Sequence, residues 1–271
     1  MADKRAIGVF DSGLGGLTVV KELRSVLPNE DIVYFGDTGR VPYGTKSRDT
    51  IRKYAAEDEK FLLSKNVKLI IAACGTVSSV ASDIGANLPV PYFEVVSHSA
   101  VSAVNETKNK RIGVIGTAAT IKSGMHKKLI FELLPDAEVT ACSCSMFVPL
   151  VEEGWFSAED AVVLGTVERY LKPIIDADVD TLILGCTHYP ILSKAIDKVL
   201  DNKVKLINMG TSVASSVAKY LKENDMLNDE NDGECSFYVS DKPDSFRNTA
   251  SILLGNEIDE QKVEQVDLNS L

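Results

Sequence analysis

Leu69-Ile70-Ile71-Ala72-Ala73-Cys74-Gly75-Thr76 and Leu182-Ile183-Leu184-Gly185-Cys186-Thr187-His188 decide how this chain is read. Each is a short apolar run bounded by small residues, the pattern of a strand buried on both faces of a parallel sheet. Open α/β sheets take their ligands outside the carboxyl ends of the strands, and both cysteines fall there. The match extends outward. Ile7-Gly8-Val9-Phe10 recurs as Ile112-Gly113-Val114-Ile115, and Leu27-Pro28 recurs as Leu134-Pro135, each ahead of a further strand pattern. From Ile7 to Ile112, Leu27 to Leu134 and Cys74 to Cys186 the offsets are 105, 107 and 112 residues. Three features at nearly one offset predict two similar parallel-sheet α/β domains related by pseudo-twofold symmetry, with the active site at their interface. One thiol from each half then faces a single cleft.

Composition agrees with an enzyme of two modest domains. The chain has 271 residues, 45% hydrophobic and 25% charged, enough for one or two full cores. Its net charge is −10, from 29 Lys and Arg against 39 Asp and Glu. That balance argues against nucleic acid and anionic membrane as partners, since both are bound through basic patches. No apolar stretch reaches transmembrane length, and Met1-Ala2-Asp3-Lys4-Arg5-Ala6 leads straight into a strand pattern, so a cytoplasmic protein is expected. Five cysteines without paired spacing favour reduced thiols over a disulfide framework.

Strand patterns fall at 7–10, 32–35, 68–73, 92–96, 112–116, 138–142, 181–185, 204–208 and 236–239, alternating with helical patterns such as 16–27, 47–65 and 157–177. The polar segment 222–234 reads as a solvated loop, after which 236–240 returns to strand and 244–254 to helix. This last part is too short for a third domain and is expected to pack back on the first. The first domain is then discontinuous, 1–97 plus 209–271, and the second is 98–208.

A thiol is a weak base at its ordinary pKa of about 8.5, and a helix N-terminus or a cationic neighbour lowers that value. Cys74 precedes Gly75-Thr76-Val77-Ser78, where a hydroxyl can cap a helix, and Cys186 precedes Thr187-His188-Tyr189-Pro190, with Pro190 suited to a first helical turn. His188 stands close enough to Cys186 to relay a proton, and Asp11 ends the first strand at the sheet edge that carries Cys74. Two bases with two helpers suit a reaction that removes a proton from one face of a carbon and returns one to the other, as racemisation requires. Asp11-Ser12-Gly13-Leu14-Gly15-Gly16 lacks the third small residue of a dinucleotide fingerprint, because Thr18 stands in its place. What remains is a tight turn or a glycine-rich loop whose N–H groups can hold an anion. Val41-Pro42-Tyr43-Gly44 is a rigid turn carrying an aromatic hydroxyl, and Thr117 and Thr120 follow the first strand of the second unit, mirroring the Asp11 loop. Glu152 and Glu153 offer carboxylates to the same cleft. No ligand spacing completes a zinc site around Cys186 and His188, so no metal is expected.

At these residues the chain resembles the bacterial glutamate racemases of the aspartate/glutamate racemase superfamily. The matching pieces are Phe10-Asp11-Ser12-Gly13-x-Gly15-Gly16, Asp37 through Pro42-Tyr43-Gly44, the first cysteine loop, Gly116-Thr117-x-x-Thr120-x-x-Ser123, Val151-Glu152-x-Gly154, Gly185-Cys186-Thr187-His188-Tyr189-Pro190 and Phe237-Tyr238-Val239-Ser240-Asp241. They run in order along nearly the whole chain. The resemblance implies a cofactor-independent two-base reaction on glutamate, supplying D-glutamate for the peptidoglycan cell wall, in a cytoplasmic homodimer. It implies that the Cys74 thiolate takes the α-proton of D-glutamate and that of Cys186 takes the α-proton of L-glutamate, helped by Asp11 and His188. Ser12, Pro42, Tyr43, Gly44, Gly75, Thr76, Thr117, Thr120, Glu152 and Thr187 then look like substrate-holding positions. One departure stands out: the family commonly has asparagine after the first cysteine, where this chain has Gly75. Two further readings use the same cleft. One is a racemase for another acidic amino acid such as aspartate; the other is a binder that closes on a small acidic ligand without reacting, for which paired thiols have no use.

Overall fold

Apolar runs that lack a polar face form strands buried on both sides, and the computed structural model, which describes residues 3–228, 233–254 and 262–268, arranges them in two all-parallel sheets. The first holds β1 (Ile7–Asp11), β2 (Ile32–Gly36), β3 (Leu69–Ala72), β4 (Tyr92–Glu94), β9 (Cys235–Val239) and β10 (Val263–Gln265), in the order β10-β9-β2-β1-β3-β4. The second holds β5 (Arg111–Gly116), β6 (Glu138–Ser143), β7 (Thr181–Gly185) and β8 (Lys205–Asn208), in the order β6-β5-β7-β8. The order β2-β1-β3-β4 is therefore repeated as β6-β5-β7-β8. Phe10 of β1 pairs with Ala72 of β3, and Ile115 of β5 with Leu184 of β7, so each cysteine leaves the strand beside the first strand of its sheet. β9 pairs with β2, returning the C-terminal part to the first sheet as expected.

Local signals set the helix starts. Ser47 opens α2 (Arg48–Ser64) by accepting the Thr50 N–H, and Asp160 opens α8 (Ala161–Asp176) by accepting from Val162 and Val163. Glu94 accepts the N–H groups of Val96 and Ser97 at 2.6 and 2.9 Å, opening α4 (Val95–Glu106). That cap ends β4 two residues before the expected 96. The expected division between residues 97 and 98 falls inside α4. α1 (Leu17–Val26) packs on α10 (Met209–Glu223), and α10 packs on α4. These helices share one core with apolar side chains of both sheets, including Ile71, Val114 and Ile183. Separate cores cover the outer faces, one around Phe35, Phe61 and Ile70, the other around Phe147, Val167 and Ile196.

At the amino edge of the first sheet, away from the cysteines, Lys68 and Glu30 form a fully buried ion pair at 2.5 Å. The Lys68 ammonium also donates to the backbone oxygens of Asp3 at 2.7 Å and Met226 at 2.8 Å, while Glu30 Oε1 accepts the Asn228 N–H at 2.8 Å. Three distant segments thus meet on one charge pair. Removing one partner strands the other in a dry site, so Lys68→Met should cost about 3–5 kcal/mol in urea unfolding. Adding Glu30→Gln should recover more than half of that loss; no recovery would show that the pair's charge is not what the fold depends on.

Candidate active site at the carboxyl ends of the two sheets

The four strand ends β1, β3, β5 and β7 deliver Asp11, Cys74, Thr117 and Cys186 to one place, because parallel strands share one carboxyl edge. Both thiols are nearly closed off, Cys74 with 4% of its surface exposed and Cys186 with 6%. Each lies within electrostatic reach of the other.

Their surroundings differ. Cys74 is the residue before α3 (Gly75–Val80), and its Sγ lies 3.7 Å from the Ser12 hydroxyl. No side chain caps α3: the Ser78 and Ser79 hydroxyls turn back to the oxygens of Ala72 and Gly75, and Thr76 Oγ1 reaches across to Thr117 Oγ1 at 3.1 Å. The expected lowering of this thiol's pKa is reversed. Burial, and then the Asp11 carboxylate, push it up to about 12. Cys186 Sγ instead faces His188 Nδ1 at 3.7 Å. Glu152 Oε1, at the end of α7 (Phe147–Glu152), lies 3.4 Å from His188 Nε2, an ion-pair distance without an aligned hydrogen bond. Burial disfavours the imidazolium, but Cys186 and Glu152 outweigh it and raise the His188 pKa to about 10. The ring is therefore charged at neutral pH. Glu153 stays exposed.

Asp11 is fully buried, and burial raises its pKa despite the nearby His188. Its Oδ2 accepts the Gly13 N–H at 3.0 Å, and Gly16 N–H also points at it. Its Oδ1 accepts from Thr187 Oγ1 at 3.3 Å, a bond that joins the two sheets. The anion held by the glycine-rich loop is thus the chain's own carboxylate. The glycines themselves are needed for close approach: a Cβ on Gly15 would lie 2.3 Å from Thr187 Oγ1, and one on Gly16 2.5 Å from Asp11 Cβ.

The remaining expected residues line the same junction. Thr117 caps α5 (Ala118–Ser123) by accepting the Thr120 N–H, and its hydroxyl lies 3.0 Å from that of Thr120. A Cβ on Gly44 would fall 2.9 Å from Thr117 Cβ, so the Pro42–Gly44 turn of the first half rests on the second. Pro42 is exposed. The Tyr43 hydroxyl does not face the cleft as its place in the turn suggested. It is buried against Asp37 and Asp58 Oδ2. A Cβ on Gly75 would meet Gly185 O at 2.6 Å and Met209 Cε at 3.2 Å, so the two cysteine loops touch through bare backbone. The sequence reading gave no role to Asp37, Arg40 or Asp58, which surround Tyr43. Among the described residues, no three His, Cys, Asp or Glu side chains gather as a metal site, and no helix is long and apolar enough to cross a membrane.

The model of the Asp/Glu/Hydantoin racemase family matches residues 15–217. A glutamate racemase of Geobacter metallireducens is 41% identical over 268 residues, covering 98% of each chain. The crystal structure of a glutamate racemase from Francisella tularensis in complex with D-glutamate superposes with a TM-score of 0.91 at 43% identity, covering 99% of this chain and 100% of that one. One from Thermus thermophilus in complex with β-chloro-D-alanine gives 0.88 at 42% identity, with full coverage of both. Over nearly its whole length and fold, this chain belongs to the Asp/Glu/Hydantoin racemase family.

Proposed function

We propose that this protein is a glutamate racemase that works without a cofactor, using Cys74 and Cys186 as its two bases. The observation that carries the reading is the pair of buried thiols from equivalent strand ends, each with a different proton-handling neighbour. Cys74, with its pKa pushed up to about 12, is a thiol ready to give a proton. The Cys186 sulfur, with the charged His188 ring beside it, forms the accepting side. In the L-to-D direction, Cys186 takes the α-proton and Cys74 delivers one to the opposite face. The D-to-L direction reverses the roles, with the Cys74 thiolate as base and the Cys186 thiol as acid. Ser12, Thr76, Thr117, Thr120 and Thr187, with the backbone of the Pro42–Gly44 turn and of Gly75, surround the space for a small polar substrate. The relatives named for glutamate at 41–43% identity favour glutamate over aspartate. In the cell, the product would be D-glutamate for peptidoglycan, made in the cytoplasm by a homodimer.

The purified protein in deuterated water should exchange the α-hydrogen of L-glutamate and form D-glutamate without added pyridoxal phosphate, nucleotide or metal, followed by NMR and chiral chromatography. Tight binding of glutamate with no exchange would favour the binder instead, and exchange on aspartate alone would move the substrate.

Cys74→Ser and Cys186→Ser should each lower racemisation by about a thousandfold or more, since a hydroxyl is far too weak an acid to serve as either base. On a substrate analogue with a β leaving group, each variant should still eliminate from one enantiomer only. Equal residual activity of one variant on both enantiomers would undo the assignment.

Gly75→Asn tests whether the missing amide is a gap or a packing requirement. With Gly185 O only 2.6 Å from the added Cβ, the backbone has to shift. Overpacking of this kind costs about 1–3 kcal/mol, so Tm should fall by about 3–10 °C while KM rises. A lower KM with unchanged melting would show that the loop has room for the side chain.

A further inference from the structure

Asp58 stands on the apolar face of α2, in line with Ile51, Ala55 and Leu62, and is fully buried. A carboxyl group at such a position needs partners. The groups that face it are Arg40, Tyr43 and Asp37 from the loop after β2, and Glu57 from its own helix. Arg40 Nη2 donates to Asp58 Oδ1 at 3.0 Å, Arg40 Nε donates to Asp37 Oδ2 at 2.6 Å, and Arg40 Nη1 donates to Glu57. Asp37 Oδ1 also accepts from the Ser240 hydroxyl at 2.8 Å.

Counting protons decides the state of this cluster. The Tyr43 hydroxyl touches Asp37 Oδ2 and lies 3.0 Å from Asp58 Oδ2. A phenol has one proton to give. Given to Asp37, on the shorter contact, it leaves the phenol oxygen facing Asp58 Oδ2 as an acceptor. That second contact is a hydrogen bond only when Asp58 itself carries a proton. The charge count agrees: Arg40, and Lys53 at 3.9 Å from Glu57 on the exposed side, balance Asp37 and Glu57, and a third ionised carboxylate would leave one uncompensated negative charge beside a mostly buried guanidinium. We propose that Asp58 is a positioning residue, held as a neutral carboxylic acid that donates to Tyr43 Oη while Tyr43 donates to Asp37. Burial, and then the Asp37 charge, push the Asp58 pKa well above the usual carboxylate range, in the same direction.

The chain of contacts leads from this lock to the cleft. Tyr43 is followed by Gly44, which rests on Thr117, and the Thr117 hydroxyl lies 3.1 Å from Thr76, two residues past Cys74. Asp58 thereby fixes the height at which the Pro42–Gly44 turn meets the second half of the molecule. This role rests on the racemase reading of that turn; the protonation state does not.

Asp58→Asn mimics the neutral acid and separates the two claims. A carboxyl whose folded pKa is raised loses stabilisation as pH climbs from its unfolded value, near 4, through its folded value. The Tm of Asp58→Asn minus that of the natural protein should therefore increase by about 3 °C or more from pH 5 to pH 8. A flat difference would mean an ionised Asp58 and would overturn the proposal, whatever the protein catalyses. Asp58→Leu should raise KM for both glutamate enantiomers about tenfold with kcat within about threefold, and Asp58→Asn should restore KM to within about twofold. Tyr43→Phe, which keeps the ring, should repeat the Asp58→Leu effect if that variant folds poorly. An unchanged KM in both Asp58→Leu and Tyr43→Phe would overturn the positioning role. Absence of racemisation in the natural protein would overturn the assigned reaction instead, while the melting series still decides where the proton sits.

Discussion

The active-site junction depends on a missing carbon. A Cβ on Gly15 would lie 2.3 Å from Thr187 Oγ1 and 2.5 Å from His188 Nδ1, so the second cysteine loop can reach the first sheet only because that position has no side chain. Once there, Thr187 donates to Asp11 at 3.3 Å and its backbone oxygen accepts from Thr18 at 3.0 Å. Gly75 and Gly185 repeat the arrangement on the other side of the cleft. Three short side chains, Asp11, Thr18 and Thr187, and bare backbone thus hold the thiol-bearing loops in register. The apolar contact that joins the two halves lies deeper, in the core shared by α1, α4 and α10. Affinity between the halves and precision at the cleft are supplied by different interactions. Hydrophobic burial is large and non-directional, whereas the loop contacts are individually weak but fix distances.

Duplicated topology gives the two cysteines equivalent positions, and the loops then make them unequal. Ser12 and Asp11 surround Cys74 with a hydroxyl and a buried negative charge; His188 and Glu152 surround Cys186 with a charged imidazole and its counter-ion. A proton is thereby favoured on the Cys74 sulfur, while Cys186 has a positive charge beside it. A reaction that takes a proton on one side and gives one on the other gains from such inequality, because two identical thiols would offer either two acids or two bases. The cost is that product release leaves the protons exchanged. Under the proposed mechanism, the site must restore them before the next turnover in the same direction.

What the sequence made legible was local or repetitive. The runs ending at Cys74 and Cys186 needed only their apolar pattern, and α2 only its period and the Ser47 cap. The repeat made β1 and β5 equivalent strands of two sheets. The three-residue edge strand β10 was missed because Val263–Gln265 carries no apolar run, and β4 was overextended because Val95 and Val96 suit a strand until the Glu94 carboxylate is seen to cap the helix they open. Two features at the site were only partly legible, and they share one cause. Tyr43 in a turn with proline and glycine looks like a surface aromatic, and a glycine-rich loop after a strand looks like an anion cradle. In each case the partner that claims the polar group, Asp58 for the hydroxyl and Asp11 for the N–H groups, is itself a buried carboxyl group, and Asp58 stands where the period of α2 calls for an apolar residue. Periodicity assigns such a position to the core and is right about its burial, but it carries no information about which distant hydrogen-bonding group the position must satisfy. Local rules break where a buried polar group has been placed for another residue's benefit, and in this chain those breaks, Asp11 and Asp58, support the loops that carry the candidate site.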